Sequence, residues 1–144
     1  MLFKKRTKLS QVVEDNEPLA RYIFSKEHYS KEKKRVKRQA FLPKQNTVSV
    51  IRHKNCPKDC ILKIGKKLEK SRVSSLKAWC SIQTQDVRSI DSLDIVSDTS
   101  NNQHRRHANI INFPDAKIRQ IADDLAELAS ENKSLVVFNL YDPV

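Results

Sequence analysis

The segment TVSVIRHKNCPKDCILKIGKKLEK, residues 47–70, predicts a strand that leads into a helix. TVSVI is rich in β-branched residues and follows Pro43, a pattern typical of a strand. Asn55 can cap a helix whose first turn contains Pro57 and Asp59. Beyond that turn, apolar and basic residues recur at helical spacing on two faces, Ile61, Ile64 and Leu68 on one and Lys63, Lys66, Lys67 and Lys70 on the other.

The rest of the chain continues to alternate strands and helices. A short helix is expected from Thr84, and Pro114 begins an amphipathic helix that should stop at Asn132. The connections between the middle strands are too short for parallel crossovers. We therefore expect a single α+β domain with a mixed sheet of about four to five strands and two main helices. The predicted strands after the first are LKAWCSIQ (76–83), LDIVSD (93–98), HANIINF (107–113) and SLVVFNL (134–140).

The N-terminal part of the chain is expected to form an extension that is tied to this body. Residues 1–46 are interpreted as a basic arm or extension, and residues 47–144 as the α+β body. A short helix is expected around Leu9 and Val13. The apolar cluster LARYIF, residues 19–24, would anchor the arm as a strand or as a helical turn, because short apolar runs are ambiguous by periodicity.

Charge is distributed very unevenly along the chain. The formal net charge is +11, with 22 Lys+Arg against 7 Asp+Glu from Met1 to Lys77 and 6 against 10 from Ala78 to Val144. The two parts therefore carry +15 and −4. Such asymmetry indicates a polyanionic partner, which could be nucleic acid, an acidic protein or an anionic membrane surface.

Nucleic-acid binding through phosphates is the leading functional hypothesis. Clustered Lys and Arg side chains neutralise several phosphates at once, and aromatic residues among them can stack on unpaired bases. The runner-up is an adaptor or accessory subunit that docks on an acidic protein partner. A solvated charged segment without a ligand is the alternative to both. The candidate nucleic-acid-binding residues are Lys31, Lys33, Lys34, Arg35, Lys37, Arg38, Lys63, Lys66, Lys67, Arg105 and Arg106.

The stretch HRRH, residues 104–107, raises a third hypothesis, a phosphate-handling enzyme such as a nuclease. His104 and His107 could act as acid and base, with the two arginines holding a phosphate. The structural alternative is a surface loop whose last histidine begins a buried strand. Because no carboxylate has a spacing that would orient either imidazole, the sequence leaves catalysis uncertain and favours a protein that is not an enzyme.

A metal site and a cofactor site are both disfavoured. His53, Cys56 and Cys60 have a nonstandard ligand spacing for zinc, although Cys80 or a later histidine could complete a set. Free cysteines more commonly pack as small apolar residues. Gly65 is the chain's only glycine, which excludes the glycine-rich loops that cradle nucleotide phosphates. We expect no metal and no cofactor.

The sequence also predicts a location in the cell. No run of about 18 apolar residues could span a membrane, and the start of the chain lacks the apolar core of a signal peptide. Three cysteines fit a reducing compartment better than a disulfide framework. We therefore expect a cytoplasmic protein, or a nuclear one if the cell is eukaryotic, since KKRVK (33–37) matches a basic import signal.

Overall fold

The computed structural model describes residues 9–100, 103–131 and 133–138. They form an α+β fold, as predicted from the sequence. The helices are α1 (Lys58–Glu69), α2 (Thr84–Arg88) and α3 (Ile118–Glu131). The strands are β1 (Pro18–Ile23), β2 (Tyr29–Ser30), β3 (Arg35–Val36), β4 (Val48–Arg52), β5 (Ala78–Gln83), β6 (Asp94–Ser97), β7 (His107–Ile111) and β8 (Val136–Val137).

Six of these strands form one sheet in the order β6-β7-β4-β1-β5-β8, and β2 and β3 form a separate hairpin. Every pair of neighbouring strands in the sheet is antiparallel. The expected mixed sheet of four or five strands is therefore wrong in its detail. The middle strands are joined by connections that suit antiparallel pairing, and the N-terminal segment adds one further strand to the sheet.

That added strand is β1, which lies in the middle of the sheet. It pairs with β5 along its whole length, from Pro18 opposite Gln83 to Ile23 opposite Ala78. Its other edge pairs with β4 through Leu19 and Arg52. Residues 18–23 of the predicted N-terminal arm therefore form a strand of the sheet, which buries their apolar side chains.

Most of the other predicted elements occupy the expected segments. The strands β4, β5, β6 and β7 and all three α-helices lie where the sequence patterns indicate. The helix α1 begins at Lys58, and its N-cap is Pro57, so the prediction of Asn55 as the cap and of Pro57 in the first turn is wrong. Asn55 lies in the preceding turn with a φ of 60°. Residues 9–17 contain no helix where one was expected. Asn132, the expected helix stop, and residues 139–140 of the last predicted strand lie outside the described residues.

Side chains on each sheet strand alternate between two apolar layers. On one face, Ile121 and Leu125 of α3 pack on Ile23, Val50 and the buried residues around them. On the other face α1 packs on a smaller cluster that contains Ala20, Tyr22, Ile51, Ile61, Ile64 and Trp79. The sheet is thus covered by α3 on one side and partly by α1 on the other, which leaves the β4-β7 side of α1 open for a site.

The close contact between α1 and the sheet depends on Gly65. A Cβ atom built at this position would lie 2.7 Å from Cε1 of Tyr22 and 2.9 Å from Cδ2 of Leu76. We expect Gly65→Ala to destabilise the fold by up to about 2 kcal/mol, because overpacking costs about 1–3 kcal/mol and the gain in helix propensity offsets only about 1 kcal/mol of it. Urea unfolding measures the change. The exposed Lys63→Ala is the control, and a Gly65→Ala protein more stable than wild type would contradict the packing argument.

A buried ion pair fixes the N-terminal segment to the sheet. Arg52 of β4 donates two hydrogen bonds to the Glu17 carboxylate, at 2.7 and 2.8 Å, and both side chains are almost fully buried. A further Arg52 nitrogen donates to the carbonyl of Ser10. Arg88 of α2 donates in turn to Asp15 and to the carbonyl of Val13. These arginines belong to the folding of residues 10–17 and are not available to a ligand.

Among the described residues, no helix combines the length and the apolar character that a crossing of the bilayer requires. The two longer helices, α1 and α3, instead turn one apolar face to the sheet and a polar face outward.

Candidate nucleic-acid interface

The basic run of the sequence forms the β2-β3 hairpin, which lies against α3. Tyr29 and Val36 of the hairpin are buried in the α3 layer of the core. The backbone N–H of Val36 donates to Oγ of Ser130 on α3 at 2.9 Å. The turn between the strands places Lys31, Lys33 and Lys34 at the surface, and Lys34 takes a left-handed backbone with a φ of 51°.

The hairpin cations share their surroundings with carboxylates of α3. A groove between the hairpin and the end of α3 is lined by Lys31, Lys33, Lys34, Arg35 and Lys133 together with Glu127 and Glu131.

Arg38 forms an ion pair with α3. It donates two hydrogen bonds to the Asp123 carboxylate, at 2.8 and 2.7 Å, which raises the pKa of Arg38 and lowers that of Asp123. The predicted phosphate-binding role of the basic run is therefore weakened by intramolecular partners of opposite charge.

A second basic surface lies where α1 meets the loop before β7. Lys67 of α1 and the loop residues His104, Arg105 and Arg106 line one cleft of about 570 Å³. The backbone N–H of Arg106 donates to Nδ1 of His104 at 3.0 Å, and the N–H of His107 donates to the His104 carbonyl at 2.9 Å. This tight turn directs the loop toward α1. We call this surface the cationic cleft, and no Asp or Glu of the described chain lines it.

Arg106 lies beneath the cationic cleft with its charge almost fully buried. It is 8% exposed, and its Nη1 donates to the carbonyls of Arg52 and Lys54 at 3.0 and 3.3 Å. Its Nε is buried and has no hydrogen-bond partner in the described part of the chain. Burial, followed by the nearby charges of Arg105 and Arg52, lowers the pKa of Arg106. Within the described residues, Arg105 and Arg106 form no ion pair. An anion bound in this cleft would therefore neutralise positive charge that no ion pair compensates.

The cleft joins two sequence features that were predicted separately. It combines Lys67, one lysine of the basic face of α1, with the HRRH loop, although these are about 40 residues apart in the chain. Of the other predicted residues on α1, Lys63 is exposed and Lys66 lies 3.7 Å from Glu69. The hairpin and α1 pack against opposite faces of the sheet, so the predicted cations divide into two surfaces.

The two candidate catalytic histidines do not share a site. His104 lines the cationic cleft, whereas His107 lines an adjoining pocket on the sheet. Nδ1 of His107 lies 2.8 Å from the carbonyl oxygen of Asp98, which can only accept, so Nδ1 carries a proton. The predicted acid–base pair of His104 and His107 therefore has no support from this geometry.

The three candidate metal ligands interact with other side chains. Cys56 and Cys60 form a disulfide, which the sequence interpretation of free thiols did not predict. Nε2 of His53 lies 2.9 Å from Oγ of Ser81, and its ring contacts Trp79 edge-on. Burial, together with the charge of Arg106, lowers the pKa of His53 to about 4. In the part of the chain that the structure describes, no three His, Cys, Asp or Glu side chains are grouped as metal ligands.

Sequence reasoning missed the pocket that adjoins the cationic cleft. We call it the polar pocket, and it occupies about 410 Å³ between β4, β7 and the end of α1. The sequence contains one indication of this pocket, because Arg21 places a charged side chain within an otherwise apolar strand. The residues that line the polar pocket include Arg21, Tyr22, Phe24, Ser49, Leu68, Ser71, Arg72, Gln103 and His107.

Comparison of the chain with protein-family models, with curated proteins and with solved structures found no match. The functional argument therefore rests on the fold and on the chemistry of the cationic cleft and the polar pocket.

Proposed function

We propose that this protein binds nucleic acid, mainly through phosphate groups held in the cationic cleft. The observation that carries the proposal is the convergence of Lys67, Arg105 and Arg106 in one concave site that no carboxylate of the described residues lines. Phosphate oxygens accept hydrogen bonds from Lys and Arg, and neutralising several phosphates releases counterions. Contacts of this kind position a nucleic acid and give little sequence preference.

The β2-β3 hairpin has a secondary part in this proposal. Lys31, Lys33 and Lys34 are exposed and add long-range attraction for a polyanion. The carboxylates of Glu127 and Glu131 in the same groove oppose close phosphate contacts there. We therefore assign the close phosphate contacts to the cleft and the electrostatic steering to the hairpin.

Neither alternative function has an equivalent observation in its favour. Docking on an acidic protein needs exposed cations but gives no reason for a concave cleft. A phosphate-handling enzyme needs a base and an acid near one reacting atom, and His104 and His107 line separate cavities.

Fluorescence anisotropy across a salt series tests the proposal. Labelled single-stranded DNA, duplex DNA and RNA of mixed sequence serve as probes. If about three phosphates are neutralised, log K should fall with log salt with a slope of roughly −2 to −3. The absence of binding to every probe at low salt, or binding that ignores salt, would overturn the proposal.

A further inference from the structure

We propose that the polar pocket holds an unpaired nucleobase of a strand whose phosphates occupy the cationic cleft, so that the protein prefers single-stranded nucleic acid to duplex. This inference rests on the proposed function and names the form of nucleic acid that the site selects.

The polar pocket and the cationic cleft are adjoining cavities. Leu68, Ser71 and Gln103 line both of them. Together the two cavities extend from the cations of the HRRH loop, past the end of α1, to Ser49 of β4 and His107 of β7. A strand with its phosphates at one end could therefore reach the pocket with the next base.

His107 gives the pocket a buried hydrogen-bonding group. Its side chain is 7% exposed, and the Nδ1 proton is donated to the carbonyl of Asp98. In the neutral imidazole Nε2 is the acceptor, and no described residue donates a hydrogen bond to it. Base edges carry N–H donors that such an acceptor can receive.

Neighbouring strand residues add polar groups of both kinds. Ser49 and Asn109 lie opposite one another in the β4-β7 register, on the sheet face that carries His107. Both line a neighbouring pocket, which shares His107, Arg72 and Gln103 with the polar pocket. Asn109 Nδ2 donates to Asp98 at 3.2 Å, which leaves the amide oxygen of Asn109 as an acceptor. A base edge requires both hydrogen-bond donors and hydrogen-bond acceptors in its binding site.

Arg72 supplies a flat surface at the mouth of the pocket. Its guanidinium lies over the Phe24 ring, 4.1 Å from the ring centroid. Arg72 is exposed, so the guanidinium face turned away from Phe24 can stack on a base. Unpaired bases stack on arginine planes in single-stranded RNA recognition, whereas the bases of a duplex are already stacked on one another. The arrangement therefore favours a strand whose bases are free.

Two comparisons by anisotropy test this inference. The first compares a single strand with its duplex and with the same strand carrying abasic sites, each as DNA and as RNA. The abasic strand keeps every phosphate and removes the bases. We expect the intact single strand to bind at least about 5-fold more tightly than the duplex and the abasic strand, given the usual gain from stacking one base.

The second comparison uses Arg72→Lys, which keeps the charge and removes the planar guanidinium. Single-strand affinity should fall about 5-fold, while duplex and abasic-strand affinities stay unchanged. Arg119→Lys, at an exposed position of α3, is the matched control and should change nothing.

The outcomes separate this inference from the proposed function. Equal, salt-sensitive binding of all three nucleic acids would overturn the base pocket and leave phosphate binding in place. The same conclusion would follow if Arg72→Lys weakened all three to the same extent. Failure of every probe to bind would overturn both proposals.

Discussion

Glu17→Ala is expected to lower the free energy of unfolding by about 3–5 kcal/mol, the usual cost of leaving one member of a buried ion pair without its partner. Arg52 would keep its charge in a site where its side chain is 2% exposed. The variant should also release residues 10–17, because the Glu17 carboxylate receives the N–H of Glu14 at 2.7 Å. Urea unfolding followed by circular dichroism measures the change.

An exposed ion pair is the matched control for Glu17→Ala. Lys54 lies 3.9 Å from Glu14 at the surface, and Lys54→Ala should change stability by less than about 1 kcal/mol. If the two variants lost similar stability, the Arg52–Glu17 ion pair would not be the main interaction that holds the N-terminal segment to the sheet.

The same ion pair predicts how stability depends on pH. Burial alone would raise the pKa of Glu17, but the hydrogen bonds from Arg52 and from the Glu14 backbone outweigh it and lower the pKa. A carboxylate with a depressed pKa stabilises the fold above its unfolded pKa of about 4.3 and loses this contribution as the pH falls through its folded pKa. Wild type should therefore lose stability in acid more steeply than Glu17→Gln, as acid titration of the unfolding free energy would show.

Reversing two charges in the cationic cleft is expected to have the largest effect on nucleic-acid binding. Lys67→Glu with Arg105→Glu should weaken binding at low salt by roughly 30-fold or more, because two phosphate contacts become repulsions. The slope of log K against log salt should become shallower by about 2. Both side chains are exposed, so the fold should survive, and anisotropy across a salt series measures both quantities.

A second charge reversal distinguishes an effect of the binding site from an effect of the net charge. Lys31→Glu with Lys34→Glu changes the net charge by the same amount, but in the hairpin groove beside Glu127 and Glu131. We expect a loss below about 5-fold, since these cations contribute mainly long-range attraction. A larger loss in the hairpin variant than in the cleft variant would transfer the binding site to the hairpin.

Local sequence patterns were sufficient for the elements of the body. The helix α1 and the strands β4 and β7 follow from periodicity and from turn residues. The place of residues 18–23 did not follow, because a strand and a helical turn share the same short apolar pattern and only pairing with β4 and β5 decides between them. The net positive charge of the first half also gives no indication that some of its cations, such as Arg52, are buried in the core.

The candidate site could be predicted only in pieces. Lys67 and Arg105 were both recognised as basic candidates, but their meeting depends on how α1 packs beside β7, which no local pattern encodes. The amphipathic pattern of α3 identifies its polar face but does not indicate that Asp123 on that face pairs with Arg38 of the basic run. The Cys56–Cys60 disulfide was missed because an odd number of cysteines and a reducing compartment had favoured free thiols.

The most direct test of the cationic cleft as the nucleic-acid site is a heteronuclear NMR titration of the full chain with a short single-stranded oligonucleotide. The account predicts shifts of the backbone amides of residues 67–72 and 103–107 that saturate together and disappear in the Lys67→Glu, Arg105→Glu protein. Shifts confined to residues 31–38, with those two segments unchanged, would contradict it.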